Sequence, residues 1–246
     1  MLKLIGLGLW DEKDITLRGL EELKECEVVF LEAYTSKLMG CDKEQLEKLI
    51  GKKIQAASRS FVEEYGVLDY AKNNNVALLV PGDPLVATTH SDLLIEAKKR
   101  GIKTKIIHNA SIYSAVGETG LQLYKFGRSA TVTFWTENYK PTSWIDVLFE
   151  NKERGLHTLF FLDLDLEKDR FLTAQQALKQ LIQAGMSEDE EVVVCSQLGG
   201  PSKKITYGKA KDLIGKDLGL PLQVIIVPGK LHEKEKEFLE MFRREG

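Results

Sequence analysis

Compact apolar runs alternate with amphipathic stretches through the first half of the chain. Residues 2–9 are nearly all apolar and predict a buried strand. Thr16 then precedes LRGLEELKEC, where Leu17, Leu20 and Leu23 share a helical face, so Thr16 is the expected N-cap. Residues 27–31 predict a second strand, Lys43–Ile50 a helix, 53–57 a short strand and 67–72 a further helix. Val76–Val80 is a strand ending at Pro81-Gly82; residues 90–100 form a helix stopped by Gly101, and 104–108 another strand. Repeated strand–helix alternation implies a largely parallel sheet.

The second half has a different texture. Residues 129–135 (SATVTFW) are β-branched and aromatic, 144–152 read as a helix, and Thr158–Leu162 as a strand. Thr173 and Gln176 make a capping box ahead of a helix that Gly185 stops. Residues 191–195, 204–207 and 222–227 predict strands, and 231–243 a terminal helix with Phe238, Leu239 and Phe242 on one side. Strand often follows strand here, which predicts a mixed α/β unit. The connecting segment falls at 109–111, giving expected domains of 1–110 and 111–246.

Composition narrows the function. The 246 residues carry 34 Lys and Arg against 37 Asp and Glu, a formal net charge of −3, with no electrostatic footprint for nucleic acid. Lys98-Lys99-Arg100 closes a predicted helix, where cations complement the dipole. No uncharged stretch approaches the ~18–20 residues of a membrane span, so no membrane partner is expected. Cys26, Cys41 and Cys195 form no CxxC pair and read as free thiols in a reducing cytoplasm. With only 4 His and 3 Cys, no metal centre is expected.

Two strand-to-helix corners hold the candidate chemistry, because open α/β sheets bind ligands at the carboxyl ends of their strands. Gly6-Leu7-Gly8 allows a tight turn and close approach, and Glu32 lies near the ribose-binding offset of a dinucleotide site. Asp11 occupies the third glycine position of that motif, where a carboxylate would oppose a pyrophosphate. A purely structural glycine pair is the competing reading. The second corner, residues 81–90 (PGDPLVATTH), predicts a rigid loop with Asp83 at its tip. Asp83 is either a local cap or a carboxylate suited to an ammonium or sulfonium ligand. No GxSxG elbow frames Ser91, Ser111 or Ser114 near His90 and His108. Asp163 and Asp165 share a strand face as a candidate carboxylate pair, against a solvated loop for Asp165. His232 opens the last helix as either a structural or a ligand residue.

The segments GLGLWDEKDIT (6–16), EAYTS (32–36), PGDPLVATTH (81–90), NASIYSAVG (109–117), YKFG (124–127), RGLHT (154–158) and VPGKLH (227–232) span the chain. Together they resemble the diphthine branch of the tetrapyrrole-methylase-like methyltransferases. The wider superfamily carries GxGxGD followed by Leu-Thr. Trp10 in place of the third glycine and Ile15-Thr16 in place of Leu-Thr fit this branch rather than a porphyrin or corrin methylase. The resemblance implies a class III methyltransferase: two α/β domains with an inter-domain cofactor cleft, in a homodimer. It implies S-adenosylmethionine in contact with Leu9, Asp83, Val86, Ser111, Ile112, Leu162, Leu198 and His232. The implied substrate is the modified histidine of elongation factor 2, bearing an amino-carboxypropyl group whose amine is methylated on the way to diphthamide. An NAD-dependent oxidoreductase and a non-catalytic binding module stay open as alternatives, and no catalytic residue is assigned.

Overall fold

The structure is a computed structural model that describes residues 1–243. The chain divides into two compact units, Met1–Tyr113 and Ser114–Gly246.

The first unit is a parallel sheet of β1 (Leu2–Gly6), β2 (Val28–Glu32), β3 (Gln55–Ala57), β4 (Val76–Val80) and β5 (Thr104–Ile107), in the order β3-β2-β4-β1-β5. Its helices are α1 (Leu17–Lys24), α2 (Lys43–Ile50), α3 (Arg59–Glu63), α4 (Gly66–Ala71) and α5 (His90–Lys99). Leu2, Leu4 and Leu78 pack with Leu68 of α4 and Leu93 of α5, whereas Ile5, Val29 and Leu79 pack with Leu23 of α1 and Leu46 of α2. Burial on both faces explains why β1 and β4 read as unbroken apolar runs. Lys3 is the exception: 1% exposed, it pairs with Glu22 at 2.8 Å and Glu25 at 2.6 Å. Hydrogen bonds from Lys105 and Lys3 hold the Glu22 carboxyl down at about 2.

Thr16 caps α1 as expected, its Oγ1 accepting the Gly19 N–H at 3.0 Å. The buried face is not the expected one, since Gly19 and Leu23 are buried and Leu17 is 80% exposed. A Cβ on Gly19 would lie 3.1 Å from Ile5 Cγ2, so α1 sits on β1 through its backbone. Leu17, two positions from Gly19, is thereby turned outward.

The second unit begins within α6 (Ile112–Ala115) and contains β6 (Ala130–Val132), α7 (Trp144–Glu153), β7 (Thr158–Leu162), β8 (Leu164–Asp165), β9 (Arg170–Phe171), α8 (Ala174–Gln183), β10 (Glu191–Ser196), β11 (Lys204–Lys209), α9 (Ala210–Leu213), β12 (Gln223–Val227) and α10 (Glu233–Glu240). Its main sheet, β11-β10-β12-β7-β6, is antiparallel except for the β6–β7 pair. Trp144 and Leu148 of α7, Leu178 and Leu181 of α8 and Leu213 of α9 pack on Phe160, Val192, Val194 and Ile225 of the sheet. The Thr173–Gln176 capping box is present.

Two expectations change here. Residues 164–171 hold the small β8–β9 hairpin rather than an open loop. Asp163 accepts the Phe134 and Leu164 N–H groups, each at 3.0 Å, while Asp165 pairs with Lys168 at 2.9 Å, so the two carboxylates form no pair. The terminal helix is shorter than the apolar pattern suggests, because His232 caps it and Phe242 lies beyond its end. Glu235 on its first turn is 1% exposed and binds His157 Nε2 at 3.0 Å and Lys125. Burial alone would raise the Glu235 carboxyl, yet Lys125, the Gln122 and His232 N–H groups and His157 outweigh it and hold it down at about 2. Burial keeps the His157 ring below the usual imidazole range despite that carboxylate.

Candidate functional site

The strand order makes β4, β1 and β5 neighbours, so their carboxyl-terminal loops meet at one sheet edge. The glycine corner after β1 and the Pro-Gly corner after β4 are bonded to each other: Gly8 N–H donates to Gly82 O at 3.3 Å and Gly82 N–H to Gly8 O at 2.7 Å. Both glycines have positive φ, +83° and +77°. A Cβ on Gly8 would meet Asp14 Cβ at 2.5 Å, and one on Gly6 would meet Gly82 O at 2.6 Å. The glycines therefore serve loop-on-loop packing. Asp14 Oδ2 accepts the Leu9 N–H at 3.0 Å and the Trp10 N–H at 2.7 Å, folding the loop on itself. Trp10, at the superfamily's third glycine, lies on Gly40, where a Cβ would meet its ring at 2.2 Å.

Asp83 is not at a loop tip. It is 5% exposed, because three donors draw it inward. Its Oδ1 accepts the Leu85 N–H at 3.0 Å, and its Oδ2 accepts the Asn109 N–H at 3.1 Å and His108 Nδ1–H at 2.8 Å. Asn109 then clamps the edge, its Nδ2 donating to Gly6 O at 2.9 Å and Asp14 O at 3.0 Å. Pro84 O accepts from Thr88 Oγ1 at 2.7 Å and His90 Nδ1 at 2.8 Å. Behind it, His90 Nε2 lies 3.2 Å from Glu32 Oε2, with both side chains fully buried. Ala87 sits in the left-handed region, φ +56°, a strained conformation of the kind that clusters at functional loops.

The expected contacts Leu9, Asp83, Val86, Ser111 and Ile112 all lie on these three loops or directly after them. Val86 N–H bonds Asp83 O at 3.2 Å, Ser111 is 7% exposed, and Ile112 opens α6. In the second unit Leu162 ends β7 and Leu198 follows β10, at the sheet edge where β12 begins. His232 follows the other end of β12, where Gly229 N–H bonds His157 Nδ1 at 2.9 Å. That unit brings Leu162 and Leu198 to one edge and His232 to the opposite one.

Several chemistries drop away. Glu32 is buried, its Oε1 accepting the Thr35 N–H at 2.7 Å and its Oε2 facing His90, so it is not presented to a ribose. Burial raises the thiols of Cys26 and Cys195, and burial with the Glu12 charge raises Cys41 to about 11, leaving each a poor nucleophile. A cavity of about 580 Å³ lies at the opposite end of the first sheet, beside the start of β5. Its lining includes Lys98 and Lys103 but no carboxylate, histidine or thiol. The clamped edge instead carries Asp11, Glu12, Asp14 and Asp83 against Lys13, a set that fits a cationic ligand better than a phosphate. The sequence pattern pointed to His108 and Asn109 but not to these roles, because their partners stand 25 and 103 residues away.

Comparison with known proteins gives the family. The family described as Tetrapyrrole (Corrin/Porphyrin) Methylases matches residues 1–214. The chain belongs to that methylase family and is a methyltransferase, which requires a methyl donor. Its relatives within the family include diphthine synthases. It is 47% identical to the diphthine synthase of Methanocaldococcus jannaschii, over 98% of both chains. It is 43% identical to the diphthine methyl ester synthase of Yarrowia lipolytica, over 98% of this chain and 89% of that one. A crystal structure of a diphthine synthase superposes with a TM-score of 0.91 at 40% identity, covering 98% of this chain and 95% of the other.

Proposed function

We propose that the protein transfers methyl groups from S-adenosylmethionine to the amine of the 2-(3-carboxy-3-aminopropyl)-histidine of elongation factor 2, on the way to diphthamide. The observation that carries this reading is the edge where the β4, β1 and β5 loops are locked together around Asp83 and Asn109. S-adenosylmethionine supplies an electrophilic methyl group on a positively charged sulfur. Leu9, Val86, Ser111 and Ile112 border its place, with Leu162, Leu198 and His232 as the contacts assigned to the second unit. Asp83 Oδ1 accepts the Leu85 N–H, and a carboxylate oxygen can take a second donor such as a cofactor N–H. The interlocked loops hold donor and acceptor groups in fixed positions, and orientation with exclusion of water supplies the rate.

The reading extends to a homodimer working in the cytoplasm on a folded protein substrate. The near-neutral charge supports a protein acceptor over a nucleic acid, and among the described residues no helix is long and apolar enough to cross a membrane. The name of the Yarrowia lipolytica relative also raises the carboxylate of the same side chain as an acceptor. Ester methyl groups are released by mild base and amine methyl groups are not, so base treatment of the product separates the two. Isothermal titration with S-adenosylhomocysteine and with NAD tests the cofactor: the former should bind and the latter should not. NAD binding without the homocysteine analogue would overturn the reading.

A further inference from the structure

We propose that His108 is the base that takes the proton from the acceptor amine; this rests on the reading that an amine is methylated. His108 follows β5 at the clamped edge, beside the loops of Leu9 and Asp83. Its Nδ1 lies 2.8 Å from Oδ2 of Asp83, and that carboxylate is surrounded by donors: the Leu85 and Asn109 N–H groups bind it as well. An ionised carboxylate only accepts, so Nδ1 carries the ring proton. Nε2 is then the nitrogen with the lone pair, on a side chain that is 68% exposed.

The other three histidines differ. The side chains of His90 and His157 are 0% exposed. His232 is exposed, but its Nδ1 accepts the Lys234 N–H at 3.3 Å, so the neutral ring is protonated at Nε2 and offers solvent a donor. His108 is thus the exposed histidine whose outward nitrogen accepts, with a buried carboxylate fixing the tautomer, the arrangement expected of an oriented base.

The chemistry needs such a group. The acceptor arrives largely as an ammonium. Its proton passes to Nε2, and the electron pair of that N–H bond stays on nitrogen and forms the new N–C bond. The pair of the broken C–S bond leaves with sulfur. Asp83 stabilises the resulting imidazolium, and exposure lets the ring return its proton to water. The other charged groups on the loops at this edge are Asp11, Glu12, Lys13 and Asp14, with Asp14 Oδ2 already bound by the Leu9 and Trp10 N–H groups.

The test pairs nitrogen NMR of histidine-labelled protein with single-turnover methyl transfer across neutral pH, using His108→Ala and His108→Gln, and Asp83→Asn for the tautomer. Wild-type His108 should show the Nδ1–H tautomer, and Asp83→Asn should shift it. Either His108 variant should slow transfer at neutral pH by about 100- to 10,000-fold while binding S-adenosylhomocysteine normally. The deficit should shrink as pH rises and solvent deprotonates the amine, and added imidazole should restore part of the His108→Ala rate. Wild-type transfer with an unchanged variant rate and pH profile, or an Nε2–H tautomer at His108, would sink the role of His108 alone. Wild-type protein that binds S-adenosylhomocysteine yet methylates no amine would overturn the underlying reading and the base with it.

Discussion

Asp83 and Gly8 show how single residues set the clamped edge. Asp83 satisfies three donors at once, so Asp83→Ala strands the Leu85 and Asn109 N–H groups in a partly buried place. Losing one charge-assisted hydrogen bond costs about 1–3 kcal/mol, so S-adenosylhomocysteine affinity should fall by about 5- to 150-fold by titration calorimetry. Unchanged affinity would remove Asp83 from the site. Gly8→Ala meets both a positive φ and Asp14 Cβ at 2.5 Å. The conformation alone costs about 1–2 kcal/mol, so urea unfolding should show at least that loss. Sequence identified both residues as special, but not why. The Pro-Gly-Asp-Pro motif predicted rigidity and placed Asp83 outward. Its inward turn depends on donors just after β5, 25 and 26 residues further on, a proximity that local sequence does not encode.

Whole elements were the most legible level, because period and capping are local. β4 and α2 have the bounds read from the sequence, and Thr16 and Thr173 cap their helices as the chemistry requires. Less visible was the anchoring of elements to one another. His90 Nδ1, donating to Pro84 O, ties α5 to the Pro-Gly loop, so His90→Ala should leave the sheet intact while hydrogen exchange quickens at residues 85–89. Unchanged exchange there would contradict this role. In the second unit α10 is held by Glu235 against His157, 78 residues earlier. His157 Nδ1 accepts the Gly229 N–H, so a second ring proton would oppose that donor. A depressed imidazole stabilises the fold above its ordinary value, near 6.5, and that contribution is lost as pH falls. The Glu235 carboxyl, held at about 2, adds stability present above its ordinary value of 4.5 and lost as pH drops toward about 2. Urea midpoints should therefore decline in two stages on acidification, and Glu235→Gln should flatten the lower one.

For the molecule as a whole, alternation predicted the parallel first unit and its loss predicted the mixed second one. Strand order was not legible. Chain order runs β1 to β5, whereas the proposed site needs β4, β1 and β5 to be adjacent, which is set by long-range packing of both sheet faces. That adjacency joins two separate glycine corners with Asn109. At this scale the proposal is methyl transfer by this protein to an amine of elongation factor 2. The most direct measurement supplies S-adenosylmethionine labelled in its methyl group, together with elongation factor 2 bearing the amino-carboxypropyl histidine or the unmodified one. Base-stable label is expected on the modified factor alone. Well-folded protein that binds S-adenosylhomocysteine and leaves both factors unlabelled would contradict it.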